Sequence, residues 1–207
     1  MSKTEKIIQL FSNVFDTGDF YTRGEAHGFK CPCMEMEECS VNKDQEPIWS
    51  SCLGDEDTNV MIVAEAPSSK GGTGPHIAGL VENWNDEETV NSLFRFVRAH
   101  FNTIPYFTDL MKCGVERQTK NAKRIFKKRI ANCVSVFLLK EIRLIKPKII
   151  LCVGVESYNA LIHAKEIGKI DGTIELVKLI HYGKQANLPL TSSDKENIIW
   201  PFQVGKI

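Results

Sequence analysis

Four short apolar runs, NVMIVAEA (59–66), IPYFTDLMKC (104–113), KIILCVG (148–154) and TIELVKLIHYG (173–183), are separated by segments whose apolar residues recur at helical spacing. This alternation limits the chain to few architectures. TEKIIQLFSNVF (4–15) reads as an opening amphipathic helix with Ile7, Ile8, Leu10, Phe11 and Phe15 along one side. NDEETVNSLFRFVRAHF (85–101) has an Asn/Asp cap, acids in its first turn and apolar residues at 90, 93, 94 and 97. TKNAKRIFKKRIANCVSVFLLKEIRLIK (119–146) is a long helix stopped before Pro147, and ESYNALIHAKEI (156–167) is another. The order predicts an α/β fold, a doubly wound sandwich with a central, mainly parallel four-stranded sheet and helices on both faces. In such sheets the site lies at the carboxyl ends of the strands. Residues 64–79, Asp109 to Cys113, Gly154 and His181 to Lys184 are expected at that edge.

A chain of 207 residues, 43% of them apolar, can bury one sizeable core, so residues 1–207 are expected to form a single domain. Residues 16–58 are turn-rich and polar, an irregular cysteine-bearing segment. No apolar run approaches the roughly 18 residues of a membrane helix, and MSKTEKIIQLF lacks a secretory cleavage site. A cytoplasmic monomer is expected.

The formal charge is zero, but it is segregated. Residues 31–60 hold eight acids against one lysine, and residues 111–150 hold twelve Lys/Arg against two Glu. The basic half suits a polyanion, and equally a solvated helix face. Of the seven cysteines, Cys152 sits within an apolar strand and Cys52 has no near neighbour in sequence. Cys31, Cys33 and Cys39 form one group, Cys113 and Cys133 another. Four thiolates drawn from both groups could hold zinc or an iron-sulfur cluster, and spacing alone does not choose.

The run VMIVAEAPSSKGGTGPHIAG (60–79) carries a strand into Glu65, a proline and a loop of small residues. The loop contains neither GxGxxG nor GxxxxGK[ST], and Pro67 stands where a phosphate loop needs free amides. Nucleotide binding of those kinds is therefore discounted.

These motifs resemble the uracil-DNA glycosylase superfamily, most closely its iron-sulfur branch, often called family 4. The branch's GEAPG and GxPFVGxAG are matched by AEAPS and GPHIAG, and its TNVVKC by Tyr106 to Cys113. A cysteine before a helix leading to IxPKVIVxLG is matched by Cys133 and IKPKIILCVG, and the closing HPS by His181-Tyr182-Gly183. The match covers about residues 31–188. It implies an enzyme that flips a nucleotide out of DNA and hydrolyses its N-glycosidic bond, leaving an abasic site.

The resemblance also implies roles. His181 would donate to the O2 carbonyl of the departing base, and Glu65 would bind the base edge or position water, while a structural His and a loop-anchoring Glu remain the plainer alternatives. Ala64, Ala66, His76 and Asp109 would line the base pocket, and because the branch's further loop acids are absent here, water activation would fall to Glu65 or Asp109. Lys70, Lys120, Lys123, Arg124, Lys127 and Lys184, with Lys128 and Arg129 on the same helix, would contact DNA, and Leu188 would fill the vacated stack. Cys33, Cys39, Cys113 and Cys133, with Cys31 as alternate for Cys33, would hold a structural 4Fe-4S cluster, with zinc as the alternative metal. The branch's CxxC pair is absent here.

Two departures bear on substrate. His76 replaces the branch's stacking Phe and adds a hydrogen-bonding and nucleophilic ring. Asp109 replaces its base-reading Asn. An ionised Asp only accepts hydrogen bonds, so it repels uracil O4 and suits the exocyclic amine of cytosine. Such a mispairing costs about 1–3 kcal/mol. The reading is a glycosylase for a modified cytosine, with phage DNA and host defence as its setting. A protonated Asp109 would instead keep uracil as the substrate and base excision repair as the role. A third reading is a DNA-binding protein that has lost hydrolysis, and a fourth a nucleotide-binding regulator without affinity for DNA.

Overall fold

The computed structural model describes residues 1–12, 52–66, 89–112 and 122–179. Its centre is a sheet of four parallel strands, β1 (Val60–Ala64), β2 (Tyr106–Asp109), β3 (Ile149–Val153) and β4 (Glu175–Leu179), in the order β2-β1-β3-β4. In register, Ala64 pairs with Asp109, Val63 with Cys152 and Cys152 with Lys178. β1 and β3 are continuously apolar because both of their faces are covered.

The pleat divides these strands between two cores. Met61, Val63, Ile150 and Cys152 join one buried cluster with Ile7 of α1 (Lys3–Ser12), Cys133 of α3 (Ala122–Cys133), Ile142 and Ile145 of α4 (Leu139–Ile145) and Leu161 of α5 (Val155–Glu166). Val60, Ile62, Ala64, Leu151 and Val153 join the other, with Leu93, Phe94, Phe96 and Val97 of α2 (Thr89–Phe101). Helices thus cover both faces, as the alternation of elements predicts. Cys152 is buried, as its apolar run implies, and burial pushes its thiol up to about 12.

The segment 52–58 fastens the β2 edge. Cys52 makes an antiparallel bridge to Phe107, with Phe107 N donating to Cys52 O at 2.8 Å and Cys52 N to Phe107 O at 3.2 Å. Asp55 accepts from Ile104 N at 2.7 Å and from Thr103 Oγ1 at 3.0 Å. Glu56 accepts from the first-turn amides of Lys3 and Thr4 at 2.8 and 3.0 Å, anchoring α1. Ser2 and Glu5 cap each other across the same turn in a reciprocal box.

Two expectations need refinement. The second strand is regular only to Asp109, and Leu110 to Lys112 form a bend; Cys113 lies outside the described residues. The long helix is interrupted by a π turn at Val134–Leu138. The wider turn inserts one residue and re-phases the buried stripe, so that Phe137, Leu138, Leu139, Glu141, Ile142 and Ile145 are all buried. Lys146 closes α4 in the left-handed conformation, φ 52°, before Pro147. Among the described residues, no helix is long and apolar enough to cross a membrane.

Candidate active site

At the carboxyl edge, β1 and β2 remain joined beyond their last paired residues. Leu110 N donates to Ala64 O at 2.9 Å and Met111 N to Glu65 O at 3.1 Å. These two bonds fix the turn after β2 against the start of the Glu65 loop. Ala64 is buried, and Glu65 and Ala66 are half-buried. On the other side, Gly154 N donates to Leu179 O at 2.9 Å, tying the ends of β3 and β4.

Asp109 ends β2 with 4% of its surface exposed. Removal from water pushes its carboxyl up to about 7; Lys112 opposes that rise and Glu141 adds to it. Near neutral pH the side chain therefore stands between two chemistries. Protonated, it offers one O–H donor; ionised, it only accepts.

The bend that follows β2 carries one half of a buried ion pair. Lys112 Nζ is 2.6 Å from Glu141 Oε1, with the side chains 1% and 0% exposed. Lys112 also donates to the Thr108 hydroxyl. Burial pushes the Glu141 carboxyl up, against the pull of Lys112 and of hydrogen bonding with Thr108 and Tyr106. β2 thus supplies Tyr106, Thr108, Asp109 and, from the following turn, Lys112, while the re-phased stripe of α4 brings Glu141 inward.

Sequence reasoning singled out neither Lys112 nor Glu141. A signal for Glu141 exists in FLLKEIRLI, where an acid occupies the apolar stripe between Leu138, Leu139 and Ile142. A buried acid requires a partner, and a basic residue three positions beyond Asp109 is the natural one to seek.

The structure brings Ala64, Glu65, Ala66 and Asp109 to one edge, as expected. Lys127 and Lys128 are exposed on α3, and Lys123 and Arg124 lie in the same helix. Arg129 corrects the expected basic face: it is buried, one turn before buried Cys133, and so belongs to the inner side of the helix. Lys70, His76, Lys120, His181, Lys184 and Leu188 lie outside the described residues, as do Cys31, Cys33, Cys39 and Cys113.

Among the described residues no group of three or more His, Cys, Asp or Glu could hold a metal ion. Of the expected cluster ligands only Cys133 is described. It is buried in the same cluster as Leu110 and Met111, the chain leading into Cys113.

The model of one family, the Uracil DNA glycosylase superfamily, matches residues 52–200. No curated protein matches the chain.

Proposed function

We propose, from a chain that belongs to the uracil DNA glycosylase superfamily and carries a buried Asp109 at the carboxyl end of β2, that this protein excises a modified cytosine from DNA. The carrying observation is Asp109 itself. It stands at a site edge fixed by the bonds from Leu110 and Met111 to β1, so a base held there meets an acceptor of defined position. Once ionised, Asp109 accepts from an exocyclic amine and repels a carbonyl oxygen at the same place. The small residues Ser68, Ser69, Gly71, Gly72 and Gly74 of the following loop suit a base with a bulky 5-substituent. Modified cytosines of that kind occur in phage DNA, which makes host defence the setting this reading favours.

In the reaction, the target nucleotide leaves the stack, at a cost of a few kcal/mol that phosphate contacts and a wedge must offset. Exposed Lys127 and Lys128 are suited to phosphates, and Leu188 is the proposed wedge. As the glycosidic bond breaks, His181 donates to O2 of the departing base, and Glu65 positions the water that adds to C1'. A 4Fe-4S cluster on Cys33, Cys39, Cys113 and Cys133, with Cys31 as alternate for Cys33, would tie the N-terminal segment to the turn after β2 and to α3. Iron and sulfide analysis, against zinc analysis, separates the metals.

One observation favours a second reading. With its carboxyl raised to about 7, Asp109 is protonated at lower pH and can then donate to uracil O4 as an Asn would. The deciding experiment is excision on matched oligonucleotides containing uracil, cytosine, 5-hydroxymethylcytosine or its glucosylated form, across pH 5.5–8.5, followed by alkali. Cleavage of a modified cytosine that rises with pH supports the proposal. Cleavage of uracil alone, falling with pH, replaces it with uracil repair, and binding without abasic product on every substrate replaces it with a non-catalytic DNA-binding protein.

A further inference from the structure

We infer that the outer face of α3 and α4 is a second contact surface for duplex DNA, a cationic track that leads the sugar-phosphate backbone away from the carboxyl edge of the sheet. The inference goes beyond the base-reading site and needs no particular target base. Lys127, Lys128, Lys140, Arg143 and Lys146 are all exposed on this connection. The one acid within residues 122–148, Glu141, is fully buried against Lys112, so the outward charges are all positive. A solvated surface ordinarily intersperses the two signs. Here Lys140 and Arg143 stand at i,i+3 spacing, where like charges weaken a helix. Lys123 and Arg124 stand in the first turn of α3, where the helix dipole disfavours cations and no acid offsets them. Charges kept against local stability call for a partner of opposite sign. α1 packs against α4, and the acids at its N-terminus, Glu5 and Glu56, are engaged by the amides of Ser2, Lys3 and Thr4.

The π turn is what makes these cations a track. In an uninterrupted α-helix, Lys140 would stand about 120° around the axis from Lys128. The residue inserted at Val134–Leu138 takes up about 100° of that, leaving Lys140 about 20° and Arg143 about 40° from Lys128. The connection runs from the carboxyl end of β2 to the amino end of β3, against the direction of the strands. Lys127 to Lys146 spans roughly 28 Å, the length of about eight base-pair steps. Between the cations the exposed residues are Ala131 and Ser135, both small. Among the described residues the exposed large hydrophobics are Met1, Val155 and Ile167, none of them on this face. A protein partner is held by buried aromatic and apolar anchors, which this face lacks. A row of cations over small side chains suits phosphates instead.

The test is fluorescence anisotropy of the full-length protein on an unmodified, labelled duplex of roughly 30 base pairs at several salt concentrations. Wild type is compared with K140Q/R143Q, with the charge-preserving K140R/R143K, and with R98Q/K169Q, which removes exposed cations from α2 and from the chain after α5. K140Q/R143Q is expected to reduce the slope of log affinity against log salt by about 2, whereas K140R/R143K and R98Q/K169Q keep it. Urea denaturation shows that each variant is folded. An unchanged slope in K140Q/R143Q overturns the inference. So does an equal loss in R98Q/K169Q, since net charge alone would then account for binding. Binding of polyglutamate that K140Q/R143Q loses while DNA binding is kept assigns the face to an acidic protein and overturns it as well. The readout is binding, so absence of abasic product on every substrate removes the glycosylase reading and leaves this inference standing. Excision with an unmoved slope does the opposite.

Discussion

Lys112 Nζ lies 2.6 Å from Glu141 Oε1 in a place where neither side chain reaches solvent. Each charge is offset there chiefly by the other, with hydrogen bonds to Thr108 and Tyr106 beside it. Removing one partner leaves an uncompensated buried charge, which costs about 3–5 kcal/mol, whereas replacing both with apolar residues is far cheaper. K112M and E141L are each expected to lower unfolding free energy by that amount, and K112M/E141L to recover most of it. Urea denaturation of the four proteins closes the cycle, and additive losses would show that the pair is not coupled.

Asp109 makes stability depend on pH. Its carboxyl is raised from an ordinary 3.8 to about 7, so between those values the native state holds a proton that the unfolded chain has released. Stability from this group is therefore full below about pH 4, declines as pH rises, and is lost above about 7. The interval corresponds to at most about 4 kcal/mol. Asp109→Asn removes the titration. Relative to wild type, it is expected to gain stability steadily from pH 4 to 7, and parallel curves for the two proteins in urea denaturation would contradict the raised carboxyl.

Gly54 sits at φ 66°, where a Cβ would lie 2.6 Å from the Pro105 carbonyl carbon and 2.7 Å from the Ile104 and Pro105 oxygens. All three are backbone atoms at the entry to β2, so neither neighbour can rotate away. Gly54→Ala combines a left-handed Cβ with that clash and is expected to cost at least about 2 kcal/mol. Because the residue adjoins the Cys52–Phe107 bridge, displacement passes into the strand that ends in Asp109. Thermal unfolding and excision should therefore decline together. Normal stability in this variant would mean that the segment yields.

Much of the architecture is legible in sequence because the β1 and β3 runs are apolar on both faces, which only a covered parallel sheet requires. The edge position of Glu65 and Asp109 follows from that topology. The Lys112–Glu141 pair is not legible in this way. Helical periodicity drawn through residues 119–146 assumes 3.6 residues per turn throughout, and the π turn at Val134–Leu138 shifts the phase before Glu141 is reached. Arg129 is obscured for a related reason: a cluster of basic residues reads as one solvated face, although a helix turns about 100° per residue and carries the third of three consecutive bases, Lys127, Lys128 and Arg129, inward.

That division of α3 provides a test of how the protein meets DNA. Lys127 and Lys128 are exposed, so replacing them with Gln removes charge without disturbing packing. On duplex DNA, the slope of log affinity against log salt falls by about 0.9 for every phosphate that a protein ceases to neutralise. K127Q/K128Q is expected to reduce the slope by about 1–2, to weaken binding similarly across sequences, and to shift the unfolding midpoint only slightly, since exposed charge interactions contribute about 0–1 kcal/mol. Arg129→Gln should do the reverse: a buried guanidinium is removed from the inner face, so stability declines while the salt slope stays near wild type. Fluorescence anisotropy on a labelled duplex at several salt concentrations, with urea denaturation beside it, distinguishes the two effects. An unchanged slope in K127Q/K128Q would move the DNA path away from this end of α3.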